Sequence, residues 1–436
     1  MKYIYLTGLL LATFIQTAWA QQELTLHNMS SIFQSAHTNP AMQHKHKVII
    51  SLASSYQINA KNTGFTYNQL LAQVETDETG QRVLDLGQLA DQLKLNGKDY
   101  VHTSASLDVF GLSFKAGKNR FSLNVTEHMQ ARLGYSDAIL NLAVNGNVPG
   151  STINLDGYTF NGTHYREIGL GYNRKILEDD KLIVGGRVKS LFGMSNVRTV
   201  RSDVGLTTAE ENDLYEITAN ADILVRTSGI EMLEEGETDY ITNMDNKGLG
   251  VDLGASYRYS DKWTFSASVI NLGYISWKKG VTNYESKGEY VFSGIDNDEL
   301  FNGNFDFDAT EVLDSITSIF EFDETEGKYT TSLPTQVYLS GFYQLAHKTT
   351  ASATLYSDFV GGFRKGMSLG VTQTVGRWFQ ASATYTMHAR SYNNLGLGIA
   401  VGTGFQLYAV TDNIISLMQP GNAKLVNMRA GFNFLF

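Results

Sequence analysis

Residues 249–269 read LGVDLGASYRYSDKWTFSASV, and apolar side chains recur at every second position on both sides of Ser260-Asp261. Successive side chains of a β-strand point to opposite faces, so this alternation predicts two strands, each with one apolar and one polar face. The two-residue break between them predicts a tight hairpin turn. The stretch therefore predicts an all-β fold.

The same alternation recurs along the chain and predicts fourteen strands, an even number, as in single-chain bacterial outer-membrane barrels. The strands are expected near residues 47–59, 102–116, 119–132, 166–177, 181–195, 248–259, 262–276, 333–345, 350–360, 366–374, 377–389, 393–401, 404–412 and 427–436. The predicted fold is a 14-stranded antiparallel transmembrane β-barrel, with an N-terminal plug and helical extracellular loops.

The connections between these strands alternate between short and long, as the periplasmic turns and external loops of an outer-membrane barrel do. Short turns are predicted at Gly117-Lys118, Glu178 to Asp180, Ser260-Asp261, His347-Lys348, Gly376-Arg377 and Gly402-Thr403. Long connections are predicted at about 60–100, 133–165, 196–247 and 277–332, with shorter ones near 361–365, 390–392 and 413–426. If both termini are periplasmic, every long connection lies outside the cell.

The last nine residues, 428–436, form an alternating strand that carries Phe432, Phe434 and Phe436. This ending resembles the C-terminal signal that barrel-assembly machinery recognises, which predicts that machinery as a partner during biogenesis. Pairing of the first strand with the last closes the barrel. Closure is expected because every backbone donor and acceptor must be paired in hydrocarbon.

The first twenty residues are typical of an export signal, with Lys2, an apolar stretch from Ile4 to Ile15, and the small-x-small site Ala18-Trp19-Ala20. We expect cleavage after Ala20 and a location in the outer membrane of a Gram-negative bacterium. No later run approaches the roughly 18 to 20 apolar residues of a transmembrane helix, which excludes a helical membrane protein. The expected divisions are a signal peptide (1–20), a plug or hatch (21–45) and a barrel (46–436).

Composition excludes several classes of protein. The chain has no cysteine, so neither a disulfide framework nor a thiolate metal site is possible. Its net charge of -10 becomes -11 when Lys2 leaves with the signal, which argues against a nucleic-acid partner. The 41 Gly, 23 Tyr and 23 Phe against 4 Pro suit many strands with aromatic ends.

A short segment with Asn39-Pro40-Ala41 before strand one, followed by fourteen strands, resembles the FadL-type long-chain fatty acid transporters and the PorV-type barrels of protein secretion. Motifs similar to the second group are Val251-Asp252-Leu253-Gly254-Ala255, Ile270-Asn271-Leu272-Gly273 and Leu333-Pro334-Thr335. The resemblance to an uncharacterised family of Bacteroidota outer-membrane proteins covers most of the mature chain, from Asn39 to Asp412-Asn413 and the final strand.

The resemblance implies that residues 21–42 lie in the lumen as a plug. In the transporter branch, movement of this hatch and a lateral gap in the wall admit apolar ligands. The chain departs from that branch in a more polar hatch, which contains His27, Gln34, Ser35, His37 and Thr38.

The strand phase places several charged residues on the lumen side. These are Asp108, His128, Arg132, Glu167, Arg187, Lys189, Asp252, Arg258 and Arg429. They indicate a polar ligand path, a latch that holds the plug, or simply paired charges that fill the interior of a barrel of this size. Glu127 falls on the lipid-facing phase, and a phase break near Phe110 predicts a bulge, which is either a kink or an opening in the wall.

No spacing singles out a catalytic Ser-His pair, although His128 and His388 are candidates to face inward, and we predict no enzyme activity. The acidic residues between Asp296 and Glu326 do not match a calcium-binding loop, so no metal and no cofactor are predicted. Helical spacing predicts an amphipathic helix, and two further helical turns, over the barrel mouth. The residues concerned are Val312, Leu313, Ile316, Ile319 and Phe320, then Leu70, Leu71 and Val74, and Leu86, Leu89, Leu93 and Leu95.

Two functions fit this pattern. The first is a plugged barrel that binds or passes a small hydrophobic or amphipathic molecule. The second is a non-transporting barrel that serves as a subunit of an envelope complex for protein secretion or assembly. Outer-membrane lipid is an expected partner in both.

Overall fold

A computed structural model describes residues 23–76, 82–84, 99–138, 141–142, 148–155, 157–209, 216–234, 240, 242–292, 320–359, 364–388 and 391–436. The predicted signal peptide (1–20) therefore lies outside the described residues. So do Leu86, Leu89, Leu93, Leu95, Val312, Leu313, Ile316 and Ile319 of the predicted helices.

Fourteen strands form a closed antiparallel ring, which confirms the predicted barrel. All strands are numbered in chain order, together with seven further strands given below. The ring strands are β1 (Val48–Asn62), β4 (Asp99–Ala116), β5 (Asn119–Tyr135), β7 (Thr159–Ile176), β8 (Leu182–Thr208), β10 (Asn246–Arg258), β11 (Trp263–Trp277), β15 (Gln336–Ala346), β16 (Thr349–Asp358), β17 (Arg364–Val375), β18 (Phe379–His388), β19 (Ser391–Val401), β20 (Phe405–Thr411) and β21 (Leu425–Leu435). The first strand closes the ring by pairing with the last, for example Tyr56 with Ala430.

The alternation of side chains sorts each strand into an outer and an inner face. On β10, Leu253 is 53% exposed on the outside whereas Asp252 is fully buried on the inside. The outward residues of the other strands are largely Leu, Val, Phe and Tyr, as a lipid-facing surface requires. The interior, in contrast, is lined by Ser, Thr, Asn and charged side chains.

The six predicted short turns all separate consecutive strands of the ring, and we call the end of the barrel that carries them the inner rim. Gly117 and Gly376 adopt φ of +61° at two of these turns, a conformation in which glycine has no steric cost. The opposite end, which carries the long connections, is the outer rim.

Two irregularities interrupt the wall. The register of β4 and β5 shifts between Asp108 and Phe110, so the bulge predicted near Phe110 is present. The pairing of β1 with β4 stops after Leu52 and resumes only at Asn62. We call this unpaired stretch, residues 53–61 facing 102–109, the seam.

Seven further strands lie in the long connections. They are β2 (Val74–Thr76), β3 (Arg82–Leu84), β6 (Thr152–Asn154), β9 (Ile217–Ser228), β12 (Val281–Phe292), β13 (Asp323–Thr325) and β14 (Tyr329–Ser332). The 27-residue β8 continues past the ring and pairs there with β9, which pairs in turn with β12. The sequence pattern missed this outer sheet and treated residues 196–247 and 277–332 as connections.

Helices are short. They are α1 (Leu24–His27), α2 (Tyr67–Leu71), α3 (Ile230–Glu234) and α4 (Ile414–Met418), with 3₁₀ turns at Phe33–His37, Glu178–Asp180 and Pro420–Asn422. Of the predicted helical turns, Leu70 and Leu71 lie in α2, but Val74 begins a strand. Phe320 packs on the outer sheet against Val204 and Ala221. Within the described part of the chain, the helices are all too short or too polar to span a membrane.

Candidate functional site: the barrel interior

Residues 23–47, which we call the N-terminal segment, are surrounded by the strands of the ring. The backbone N–H groups of Leu24 and Thr25 donate to the carboxylate of Asp412, at 3.2 and 2.7 Å. At the other end of the segment, Arg120 donates to the carbonyl oxygens of His44 and His46. The segment thus runs from the outer end of β20 down to the inner rim.

Between these ends, the segment is bound to inward side chains on all sides of the ring. Its apolar residues Leu24, Leu26, Met29 and Ile32 are fully buried and pack on two clusters, one with Tyr338 and Tyr356, the other with Tyr408 and Val410. Polar contacts alternate with them. Thr25 contacts Thr384 at 2.7 Å, Ser31 donates to Gln380, Gln34 exchanges hydrogen bonds with Asn433, and Ser268 donates to the carbonyl of Thr38.

Asn39-Pro40-Ala41 makes a tight turn against the wall. Asn39 Oδ1 accepts from the backbone of Ala41 at 2.8 Å, while its Nδ2 donates to Ser266 Oγ at 2.7 Å. The carbonyl of Pro40 accepts from Asn173 at 2.9 Å. The predicted hatch motif is thus a turn that binds three different strands through side-chain and backbone groups.

Two histidines of the segment are buried in their neutral form. His27 Nδ1 donates to Thr38 Oγ1, whose own proton goes to the carbonyl of Ser35, and Nε2 accepts from Ser340. Burial lowers the pKa of His27 to about 4. Burial, and then the nearby guanidinium of Arg120, lowers the pKa of His44 to about 3.

A network of ion pairs connects the segment to the wall. Arg429 on β21 contacts the carboxylate of Glu23 and lies 3.6 Å from that of Asp108. His37 Nε2 lies 3.3 Å from Asp108, and Arg187 donates to His37 Nδ1 at 3.2 Å. Since Nδ1 must accept from the guanidinium, the proton of His37 lies on Nε2 and points to Asp108.

The network continues across the barrel through four residues of the wall. Lys189 Nζ lies 2.9 Å from Asp252 and 3.1 Å from Glu167. Arg187, which also donates to His37, lies 3.5 Å from Asp252 and so connects the two groups of ion pairs. His128 lies 3.5 Å from Glu167. All four carboxylates are largely buried, which raises the cost of breaking any single pair, because the remaining partner stays uncompensated.

The interior is layered. The network surrounds a cavity of about 30 Å³, room for about one water, between the segment and the wall. Toward the outer rim, an apolar cluster lies on one side of the barrel, on and beside β7, β8, β11, β12 and β14. Its members are Tyr165, Leu191, Ile275, Trp277, Val281, Tyr329 and Leu333.

Seven of the nine predicted lumen charges form this network: Asp108, His128, Glu167, Arg187, Lys189, Asp252 and Arg429. Arg258 instead lies exposed at the inner rim and contacts the carbonyl of Asp179, because β10 ends there. Arg132 is only partly buried and lies 4.1 Å over the ring of Tyr100, toward the outer end of β5. The side chain of His388 lies outside what the structure describes.

Glu127 keeps the outward phase that the sequence predicts. It contacts Arg166 and lies 3.4 Å from His164, both outward residues of β7, and Tyr240 hydrogen-bonds to His164 at 2.7 Å. The pairing neutralises a charge on the outer face.

Phe432 and Phe434 pack on Phe405 at the inner rim, and the carbonyl of Phe436 accepts from the backbone of Lys47 and Val48.

Sequence reasoning missed Glu23 as a member of the network. Residues 21–45 contain no other acidic residue, and this isolation in a segment with several polar side chains was the available signal. Period-two alternation could not reveal it, because the segment is not a strand.

Comparison with known proteins gives a family. The model described as "Family of unknown function (DUF5723)" matches residues 40–412. No curated protein matches the chain. Among solved structures, the toluene transporter TbuX of Ralstonia pickettii is similar at 9% identity over 93% of this chain and 94% of that one, with a TM-score of 0.45.

Two further structures are similar over nearly the whole chain. The toluene transporter TodX of Pseudomonas putida matches at 9% identity over 96% of this chain and 93% of that one, with a TM-score of 0.42. A FadL homologue of Pseudomonas aeruginosa matches at 10% identity over 96% and 97%, with a TM-score of 0.43. These similarities are distant, and the closed 14-stranded antiparallel barrel is established by the strand pairing within this chain.

Proposed function

This chain belongs to the DUF5723 family, and we propose that its barrel binds or passes a small hydrophobic or amphipathic molecule, with the N-terminal segment as a movable plug. One observation carries the proposal. Inside the ring, the N-terminal segment lies beside the seam, the part of the wall where β1 and β4 do not pair, since its His37 contacts Asp108 there. A plug and a break in the wall at the same place are what lateral delivery of an apolar molecule requires.

The seam is held by side chains rather than by a backbone ladder. Ser106 donates to Gln57 at 2.9 Å and Asn59 to Ser104 at 3.4 Å, across the gap between the two strands. In hydrocarbon an unpaired backbone group costs several kcal/mol, so a barrel wall is normally paired throughout. The guanidinium of Arg429 also bridges the gap, to Ser55 at 2.7 Å and Ser106 at 3.4 Å. These few side-chain hydrogen bonds are easier to open than a ladder of nine residues, and the seam is therefore the proposed exit into lipid.

The plug must move for this function. The cavity beside it holds about one water, so even a small organic molecule enters only after the N-terminal segment shifts. The apolar cluster around Trp277 and Tyr329 offers the ligand a binding surface on the outer side of the plug. The charged network then acts as the latch that holds the plug in the closed position.

A cysteine lock tests the plug, and the absence of native cysteine makes the experiment clean. Thr25 and Thr384 lie 2.7 Å apart at their hydroxyls, so the T25C/T384C pair ties the segment to β18. The matched control, T152C/T207C, joins the neighbouring strands β6 and β8 at two exposed hydroxyls that lie 3.0 Å apart, and leaves the segment untouched.

Uptake is measured in vesicles with radiolabelled 1-decanesulfonate, whose permanent charge keeps it from crossing lipid unaided. We expect oxidation of T25C/T384C to slow uptake at least ten-fold, with full recovery on reduction, and no effect of oxidation on the control pair. Equal uptake by the oxidised and reduced lock, or no uptake above that of empty vesicles, would contradict the proposal.

The second candidate, a barrel subunit of a secretion or assembly complex, is favoured by the outer sheet. This sheet projects beyond the ring, and its central strand β9 forms twelve residue pairs with β8 and twelve with β12. The sheet is larger than the mouth of a channel requires. Extraction in mild detergent followed by mass spectrometry of proteins and lipids distinguishes the two. A stoichiometric protein partner without a bound small molecule favours the subunit.

We propose further that the export signal is cleaved after Ala20, so that residues 21–45 form the plug domain and 46–436 the barrel. The burial of Leu24 and Thr25 against Asp412 supports a short N-terminal overhang, since a longer one would have to be accommodated inside the ring. The intact mass of the protein purified from outer membranes tests it.

A further inference from the structure

Two arginines face each other on the outer sheet. Arg198 of β8 and Arg226 of β9 are direct cross-strand partners in the register of the two strands. Side chains in this relation lie about 5 Å apart at Cβ, and like charges directly opposite destabilise a sheet. Arg198 is exposed and Arg226 partly buried, so solvent screens part of this repulsion and a bound counter-charge relieves the rest.

The described residues do not supply that charge. No carboxylate among them lies within 4.0 Å of either guanidinium, whereas the next basic residue on the same face, Arg201, pairs with Asp222 at 2.7 Å and Glu285 at 2.6 Å. Lys287 also pairs with Asp222, at 3.2 Å. The two arginines thus stand out from a face on which the neighbouring cations are neutralised.

Their surroundings form the rest of a site. The guanidinium of Arg226 lies 5.7 Å from the centre of the Tyr329 ring, and both arginines are close enough to the Tyr329 hydroxyl to affect it electrostatically. That hydroxyl donates to Asn196 Oδ1 at 2.8 Å, which fixes the ring. Tyr329 belongs to the apolar cluster, so the arginines lie where this cluster meets the outer sheet.

We propose that Arg198 and Arg226 form a binding site for an oxyanion, a phosphate, sulfate or carboxylate group. A guanidinium presents its N–H donors in a planar fork that matches the oxygens of these groups, and two forks side by side surround one anion. The bound anion neutralises the repulsion that the empty pair suffers. The proposal concerns binding alone and holds whether or not the barrel transports.

Inorganic phosphate, compared with chloride at equal ionic strength, is the probe. By mass action a ligand that binds only the folded state raises its stability, so phosphate is expected to raise the urea midpoint of the wild type in detergent. Arg198→Gln and Arg226→Gln each remove one of two repelling charges, so they are expected to match or exceed the wild type in chloride and to lose the phosphate response. Equilibrium dialysis should show at least ten-fold weaker phosphate binding.

Two variants separate this role from a structural one. Arg201→Gln breaks existing ion pairs and should lower stability equally in both salts, with phosphate binding retained. Arg198→Lys keeps the charge but lacks the fork, and should bind phosphate several-fold more weakly without gaining stability in chloride. If Arg198→Gln and Arg226→Gln destabilise the protein in chloride as Arg201→Gln does, and phosphate binding is unchanged, the proposal is overturned.

A lipid headgroup presents the same oxyanion as free phosphate. If inorganic phosphate binds saturably in lipid-free detergent, the site takes a soluble anion. If inorganic phosphate does not bind but decyl phosphate binds saturably in mixed micelles, the site takes a lipid headgroup. Either result supports the site if both arginines are needed. Binding of neither probe contradicts it.

Discussion

Gly185 of the barrel wall lies against the backbone of the Asn39-Pro40-Ala41 turn. A Cβ at Gly185 would come within 2.5 Å of the Pro40 carbonyl oxygen and 2.8 Å of the Ala41 nitrogen, closer than real Cβ atoms approach other heavy atoms. Because both atoms are backbone, the turn would have to move away as a unit. The glycine is needed here for close approach rather than for an unusual φ.

Gly185→Ala should therefore detach the turn from the wall at a cost of about 1–3 kcal/mol, the usual range for overpacking. Hydrogen exchange of residues 24–41 measures the loss of protection. Gly341→Ala is the matched control, since its added Cβ would meet Phe265 only at 3.8 Å, an ordinary contact. Equal protection in both variants would show that the turn does not depend on close packing against β8.

The buried histidines predict that docking of the N-terminal segment weakens in acid. In the docked state the pKa of His27 is lowered to about 4, whereas the free side chain titrates near 6.5. The contribution of neutral His27 to the free energy of docking is therefore complete above pH 6.5. It is lost as the pH falls toward 4, because only the undocked histidine takes up a proton in that range. His44, with its pKa lowered to about 3, adds in the same direction.

At pH 4.5, relative to pH 7.5, we expect His27 to cost the docked segment about 2 kcal/mol. Urea midpoints and exchange protection of residues 24–41 at the two pH values measure it. His27→Gln, which cannot be protonated, should show a shallower pH dependence than the wild type. A dependence as steep as that of the wild type would assign the acid sensitivity to other groups.

At the scale of the element, the seam predicts a second lock. Gln57 Oε1 and Ser106 Oγ are joined at 2.9 Å across the unpaired stretch, so a short bifunctional thiol crosslinker between the cysteines of a Q57C/S106C pair ties β1 to β4 where the ladder is missing. If molecules leave through the wall, this lock should slow delivery into lipid at least ten-fold while leaving the plug free to move. The T152C/T207C pair, crosslinked in the same way where strands are already paired, should have no effect.

The sequence predicted the ring strands well because each has one face in lipid and one in the polar interior, which imposes strict alternation. It missed β9 and β12, although β9 alternates from Ile217 to Val225. The centre of the apolar face of β9 carries only the small residues Ala219 and Ala221, which weakens the signal of a buried face. The seam was also invisible, since residues 53–61 keep much of their alternation, and only pairing shows that β4 is not bonded to them.

The interior could be predicted in part. The strand phase predicted that six charged residues face the lumen, and in the structure these six interact. They are Asp108, Glu167, Arg187, Lys189, Asp252 and Arg429. The strand phase shows which face of the wall a residue occupies but not its position along the barrel axis. Arg258 and Arg132 were therefore grouped with these six residues, although they lie toward opposite rims. The partners Glu23 and His37 come from a segment without periodic structure, where only three-dimensional contacts reveal them.

At the scale of the whole molecule, the wall and the plug are separable. The ring closes through its own backbone ladders, from β1 to β21, and needs no contribution from the N-terminal segment. The contacts of the segment are hydrogen bonds, among them that of His37 to Asp108, small apolar clusters and the ion pair of Glu23 with Arg429. Removal of residues 21–45 should therefore leave a folded barrel with an open, charged lumen.

This deletion predicts a change in conductance. Without the segment, the interior carries Asp108, Glu167 and Asp252 against Arg187, Lys189 and Arg429, and water replaces the lost partners of Asp108 and Arg429. Planar bilayer recordings should show a stable ion-conducting pore for the deletion variant and little conductance for the full-length protein. The oxidised T25C/T384C lock should stay closed under the same conditions. A deletion variant that folds, as judged by its shifted mobility without boiling, yet does not conduct would mean that the outer apolar cluster, rather than the N-terminal segment, closes the barrel.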